Sequence, residues 1–173
     1  MLRHILLLVI ASIGLAMPTH GAQEVVAGEF GDWTKICTTE EGKAVCRIAQ
    51  DATQGESGKR LFRTMVGLVD DNPQPVLYMI APLGIYLPHG LSLKLSEEDL
   101  VSAVVQRCDN SGCLAVVGLP DEFISKMKAG AQGQLLFGVN AQQLMPIPLS
   151  LKGFTRGFDS LSSVTQEEQN SSP

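Results

Sequence analysis

The stretch Ala81–Leu95, APLGIYLPHGLSLKL, decides the fold class. The all-apolar run Val76–Ala81 leads into it, and two proline–glycine breaks follow, Pro82-Leu83-Gly84 and Pro88-His89-Gly90. Beyond them Leu91, Leu93 and Leu95 alternate with Ser92, Lys94 and Ser96. A short apolar run bounded by turn residues is the pattern of a buried strand, and strict alternation is that of a strand with one face in water. The order is therefore buried strand, bent apolar connection, half-buried strand. Neither strand can shield its own apolar face, so other strands must cover both.

Towards the C-terminus, Ser96-Glu97-Glu98-Asp99 resembles a capping box, but the valines after it favour a strand over Val101–Cys108. Cys113–Gly118 is its hairpin partner across the turn formers Asp109–Gly112. Residues 120–129 form the one helix: Asp121 and Glu122 open it, Lys126 and Lys128 close it, and Gly130 stops it. Phe123, Ile124 and Met127 share its buried face. Gln134–Val139 turns Leu135, Phe137 and Val139 inward, and Met145–Leu151 does the same with Met145, Ile147, Leu149 and Leu151. Pro146 and Pro148 lack the N–H groups a neighbouring strand would need on one side, so that side is a free edge. Gly153–Leu161 is a short terminal segment with Phe154, Phe158 and Leu161 at helical spacing.

Towards the N-terminus, Arg60–Asp70 is a long strand with Phe62, Thr64, Val66 and Leu68 on one face. Asp70–Pro73 is a turn, without the spaced ligands of a calcium loop. Ala52–Lys59 is an exposed loop. Phe30–Cys37 and Ala44–Asp51 are two strands joined by a charged turn, and Gln23–Gly28 is a mobile lead-in. Trp33 reads as a core residue covering a disulfide. Eight or nine short strands with one helix make residues 23–161 a single β-sandwich domain.

Residues 1–22 have the layout of a secretory leader. Arg3 and His4 precede an apolar run of 12 residues, Ile5–Ala16, which is too short to span a bilayer; Pro18 and the small residues Gly21 and Ala22 follow. Its removal leaves His89 as the only histidine and makes the chain one unit more negative than its full-length charge of −5. Residues 162–173 form a polar tail, and nothing after the leader is apolar enough for a transmembrane segment. An acidic chain without a basic block is not a nucleic-acid binder. In an oxidising compartment the four cysteines default to disulfides. Three connectivities are open, of which local pairing, Cys37 with Cys46 and Cys108 with Cys113, is the simplest.

Catalytic chemistry finds little to work with. A single histidine excludes a His-rich zinc site, and His89 lies between Pro88 and Gly90 with no nucleophile motif nearby. No phosphate-binding glycine loop is present. Glu97, Glu98 and Asp99 read as a solvated run. No catalytic residue, metal site or cofactor is expected. The remaining chemical candidate is Cys108/Cys113, whose four intervening residues differ from the two of a redox-active pair.

The order of these features resembles the invasion-associated locus B family of exported bacterial proteins. Its pieces here are Gly31-Asp32-Trp33 with Cys37 and Cys46, then PLGIYLPHGLSLKL, then CDNSGC, then PLSLKGFTRGFDSL over Pro148–Leu161, together spanning Phe30–Leu161. The resemblance implies an immunoglobulin-like β-sandwich with two disulfides, in the periplasm or at the cell surface. Some members are linked to entry into host cells and so to virulence, others look like housekeeping envelope proteins, and none lends a catalytic residue. The functional expectation is a non-enzymatic exported protein that binds a protein or envelope component, a host-cell surface among them. The contact candidates are Ile85, Tyr86, Leu87 and His89; the opposing expectation is that this loop folds inward and caps the core. The alternative function is a periplasmic thiol-disulfide or stress-response factor using Cys108/Cys113. Mass spectrometry of the exported protein should find its N-terminus at Ala22 or Gln23, which checks the leader.

Overall fold

The computed structural model describes residues 23–40, 42–55, 58–69 and 72–162. The expected leader, and all of the expected tail except Ser162, lie outside these residues. In chain order the strands are β1 Val25–Phe30, β2 Trp33–Glu40, β3 Lys43–Gln54, β4 Lys59–Val69, β5 Asn72–Ala81, β6 Leu91–Lys94, β7 Leu100–Ala103, β8 Val105–Asp109, β9 Gly112–Gly118, β10 Gln132–Asn140 and β11 Gln143–Ser150. Among the described residues there are two α-helices, α1 Asp121–Ala129 and α2 Phe154–Ser162. The larger sheet has the order β1-β2-β3-β4-β5-β9-β8 and the smaller β11-β10-β6-β7, all pairs antiparallel. Their facing sides make a β-sandwich.

Alternation sets what lies between them. Phe62, Thr64 and Val66 of β4, Leu77 and Met79 of β5, and Leu91 and Leu93 of β6 are all fully buried. Each large aliphatic side chain removed from water this way contributes about 1.5–3 kcal/mol. The seven-stranded sheet is wider than the sheet that covers it. Helix α2 covers the remainder, packing on β1–β4 and on α1. Its Phe154 meets the buried Trp33 edge-on, with ring centroids 5.2 Å apart. Trp33 is the expected core residue, and its ring partner is this helix.

The β1–β2 turn interlocks with the β11–α2 connection. Asp32 N donates to Lys152 O (3.1 Å), and Ser150 Oγ donates to an Asp32 carboxylate oxygen (2.6 Å). Gln50 reaches across from β3: its Nε2 donates to Asp32 O and Ser150 O, and its Oε1 accepts from Ser150 N. Trp33 Nε1 also donates to Ser150 O (2.9 Å). Lys35, buried on the inner face of β2, donates from Nζ to Ser160 O in the last turn of α2, where helix carbonyls lack internal partners and a cation suits the helix dipole.

Eleven described strands stand where eight or nine were expected, and the differences have physical causes. The lead-in is β1, paired with β2 from Val25 onward. As an edge strand with its valines in water, it is held by backbone hydrogen bonds and carries no alternation to reveal it. The ladder of β3 runs to Gln54, into the expected loop. The single strand expected over Val101–Cys108 is divided: β7 belongs to the smaller sheet, β8 to the larger, and Val104 stands 78% exposed at the crossing. Val101, Ala103 and Val105 all pack on the core, so side-chain parity is kept and the corner leaves no mark in the pattern. Val139 and Met145, expected inward, are exposed: Val139 falls at a bulge between Gly138 and Asn140, and Met145 lies on the outermost strand of its sheet. The free edge read from Pro146 and Pro148 is real: β11 is outermost in its sheet.

Gly153 has φ +90°, and a Cβ there would stand 1.8 Å from Phe30 O. Gly153→Ala must therefore open the interlock and should lower stability by about 3 kcal/mol or more. Gly42→Ala, at a comparable φ of +82° but in open space, should cost only about 1 kcal/mol. Paired denaturant melts check both.

Candidate functional site

The connection from β5 to β6 is a fastened loop. Leu87–His89 forms a single 3-10 turn, closed by Gly90 N donating to Leu87 O (2.9 Å). Tyr86 N donates to Gly138 O of β10 (2.7 Å), and His89 Nε2 donates to Ala141 O at the β10–β11 tip (3.2 Å). Tyr86 and His89 lie ring against ring at 5.2 Å. A side chain at 138 would place its Cβ 2.5 Å from the His89 ring, so the close seat depends on Gly138.

This anchoring divides the four candidate contact residues. Ile85 is half-buried and packs on the core; Tyr86 is half-buried; Leu87 and His89 are exposed. Leu83 is 59% exposed and Leu87 48%. The loop is thus a core cap through one side chain and an apolar surface through two others. The hairpin it is tied to carries Val139, Leu144 and Met145, all exposed; Leu144, directly opposite Gly138, shares the loop's face, and Met145, opposite Phe137, is on the other. Those three were not identified from the sequence. Val139 and Met145 fit an inward alternation, but Val139 falls at the bulge between Gly138 and Asn140 and Met145 on the outermost strand, opposite the buried Phe137.

Both disulfides join neighbouring strands. Cys37–Cys46 crosslinks directly opposite residues of β2 and β3, and Cys108–Cys113 those of β8 and β9. Closing loops this short contributes roughly 2–3 kcal/mol each in the chain-entropy model. Cys113 is buried opposite Ala81, at the root of the Pro82–Gly90 loop, whereas Cys108 is exposed. The pair lies on a β-hairpin, away from any helix N-terminus that would stabilise a thiolate. A concavity of about 320 Å³ on the outer face of the larger sheet is lined by Glu24, Asp51 and Arg63, among others. Hydrogen bonding to Asp51 holds the Arg63 guanidinium well above its ordinary range, with Glu24 adding to the effect, so this arginine is already committed within the chain. No helix among the described residues is long and apolar enough to cross a membrane.

These features define a class first: a two-sheet β-sandwich, each of two hairpins stapled by its own disulfide, with an apolar loop fastened at one sheet end. The family model described as invasion associated locus B (IalB) protein matches residues 33–162, and the chain belongs to that family. Relatives include invasion protein B homologs of Brucella abortus (strain 2308) and of Brucella abortus biovar 1 (strain 9-941), each 24% identical over 148 residues, covering 84% of this chain and 84% of theirs. The crystal structure of invasion associated protein b from Bartonella henselae has the same fold, with a TM-score of 0.70 at 19% identity, over 81% of this chain and 97% of that one.

The division of the loop predicts divergent mutants. Ile85→Ala should lower stability by about 1–2 kcal/mol through lost core packing, whereas Leu87→Ala should stay within about 0.5 kcal/mol of the parent. Chemical denaturation of the oxidised protein distinguishes the two.

Proposed function

We propose that this chain is an exported, non-enzymatic binding protein of the cell envelope or cell surface, acting as a host-interaction factor. The observation that carries the reading is the exposed apolar residues Leu83 and Leu87 of the anchored loop, with Leu144 on the face of the hairpin to which the loop is tied. Leucines held in water on a preorganised frame gain by being covered, and such surfaces mark contact sites more often than scattered apolar residues do. Two structural disulfides suit an oxidising compartment, and the leader pattern of residues 1–22 supports export. The family membership supports an invasion-associated role. The partner is a protein or an envelope component.

One observation favours the thiol-disulfide alternative: Cys108 is open to an attacking thiolate. Against it, exchange at Cys108 would release a thiolate from Cys113, which is 2% exposed among apolar neighbours that disfavour its charge. The reduction potential of the pair is expected below about −300 mV, as for structural bridges; a value near about −150 mV would establish the alternative.

The binding reading is tested by capture from envelope and host-cell membrane extracts on the immobilised oxidised protein. The parent should retain a partner that Leu87→Ser/Leu144→Ser loses, with Tm unchanged to about 2 °C. Equal retention by both proteins would remove this surface from consideration.

A further inference from the structure

The two sheets end in four edge strands, β1, β8, β11 and β7. An open edge invites another chain, and three of these are blunted. Bulges interrupt β1 between Val26 and Gly28 and β8 between Val105 and Arg107, and β11 carries Pro146 and Pro148. Strand β7, Leu100-Val101-Ser102-Ala103, has neither a bulge nor a proline. Leu95 N donates to Asp99 O, which fixes the alternation of the β6–β7 ladder: Val101 and Ala103 bond towards β6, and Leu100 and Ser102 direct their N–H and C=O groups away from it. Among the described residues no strand pairs with that outer side.

A groove of about 390 Å³ lies at the N-terminal end of this side, between Leu100 and Val101 of β7 and the first turns of α1. Residues of β7 and α1 line it and none of β6 does, so it opens on the edge. Leu100, Val101 and Phe123 give it an apolar floor, while Glu98, Asp99 and Glu122 set three carboxylates against the single cation of Lys126. Lys126 is committed to its neighbours, bonding Asp99 and Glu122 (3.0 Å to the latter), and its hydrogen bond, with that of Ser96, holds the Asp99 carboxyl below its ordinary range. The groove therefore presents net negative charge beside unpaired strand edge.

We propose that this groove binds an extended, lysine- or arginine-bearing peptide segment of another protein, which adds to β7 as a fifth strand of the smaller sheet. Leu100 and Ser102 would supply two donors and two acceptors, the apolar floor would take alternate side chains, and the acidic rim selects cationic ones. The shortness of β7 restricts the site to a peptide rather than another sheet. The chain's own last residues, 163–173, are a poor occupant, since they contain Glu167 and Glu168 and no lysine or arginine. The site is independent of the Leu83–Leu87 surface.

The test titrates an acetylated, amidated hexapeptide of alternating valine and lysine into the oxidised, isotope-labelled protein. Amide shifts should map to Leu100, Ser102 and Phe123, with a Kd in the range of about 0.1–1 mM. Replacing the peptide's lysines by glutamate, or N-methylating alternate residues in both frames, should weaken binding roughly tenfold or more. Glu98→Lys/Glu122→Gln should weaken it roughly fivefold without moving Tm, while Leu87→Ser/Leu144→Ser should bind normally. The proposal is overturned if the shifts are absent at about 2 mM peptide, if the glutamate or N-methylated peptides bind equally, or if the shifts map elsewhere. Self-association of the protein that Glu98→Lys/Glu122→Gln abolishes would also overturn it, making a second copy the occupant.

Discussion

The backbone contact between Phe30–Gly31 and Lys152–Gly153 governs how the two sheets and the last helix come together. Both glycines have positive φ, and neither has room for a side chain against the opposing carbonyl. The approach brings the Ser150 carbonyl within reach of both Trp33 and Gln50, and the Ser150 hydroxyl within reach of Asp32. Each such bond is worth only about 1 kcal/mol net, but the groups are partly buried, so losing one partner also strands another polar atom. The connection then delivers α2 beneath the half of the larger sheet that the smaller sheet leaves bare. With Phe154 and Leu161 buried there, that half has a core.

The segments that carry the family resemblance meet one another in space. Gly31-Asp32-Trp33 and the SLKGF portion of the C-terminal segment are the two sides of the interlock. The Ala81 end of the central stretch pairs with Cys113 of CDNSGC, and Gly112 sits tightly against the Ala81 carbonyl. These pieces are joints of the scaffold. That is why they identify the family and the fold while saying little about what is bound, although the central stretch also carries the exposed Leu83 and Leu87.

Sequence pattern was sufficient wherever one physical demand acted alone. Leu91 and Leu93 alternate because one face of β6 is buried, the charges at the two ends of α1 suit its dipole, and the β11 prolines sit where no neighbour needs an N–H. It was insufficient wherever two demands overlapped. Val104 turns a corner between sheets without breaking the parity of Val101 and Val105. Met145 lies opposite the buried Phe137 and looks inward, but the outer strand has nothing above it. Ile85 and Leu87 are both aliphatic and only two apart, yet the 3-10 turn sends one to the core and one to water. The outer groups of β7 were invisible for a different reason: a vacant backbone edge has no side-chain signature.

The spacing of the crosslinks has a consequence for biogenesis. The two disulfides span 9 and 5 residues, and each joins cysteines consecutive in the chain. A polypeptide entering an oxidising compartment N-terminus first would meet its partners in order. An oxidase that joins each new thiol to the last free one would make the native set directly, with no shuffling step. The Trp33–Ser150 bond, in contrast, spans 117 residues and must wait for nearly the whole domain. Covalent closure is early and local, whereas the noncovalent latch is late and global. Until such a translocation neared its end, the chain would be a string of stapled hairpins with the apolar side of its larger sheet uncovered, the state in which a holding chaperone would be needed.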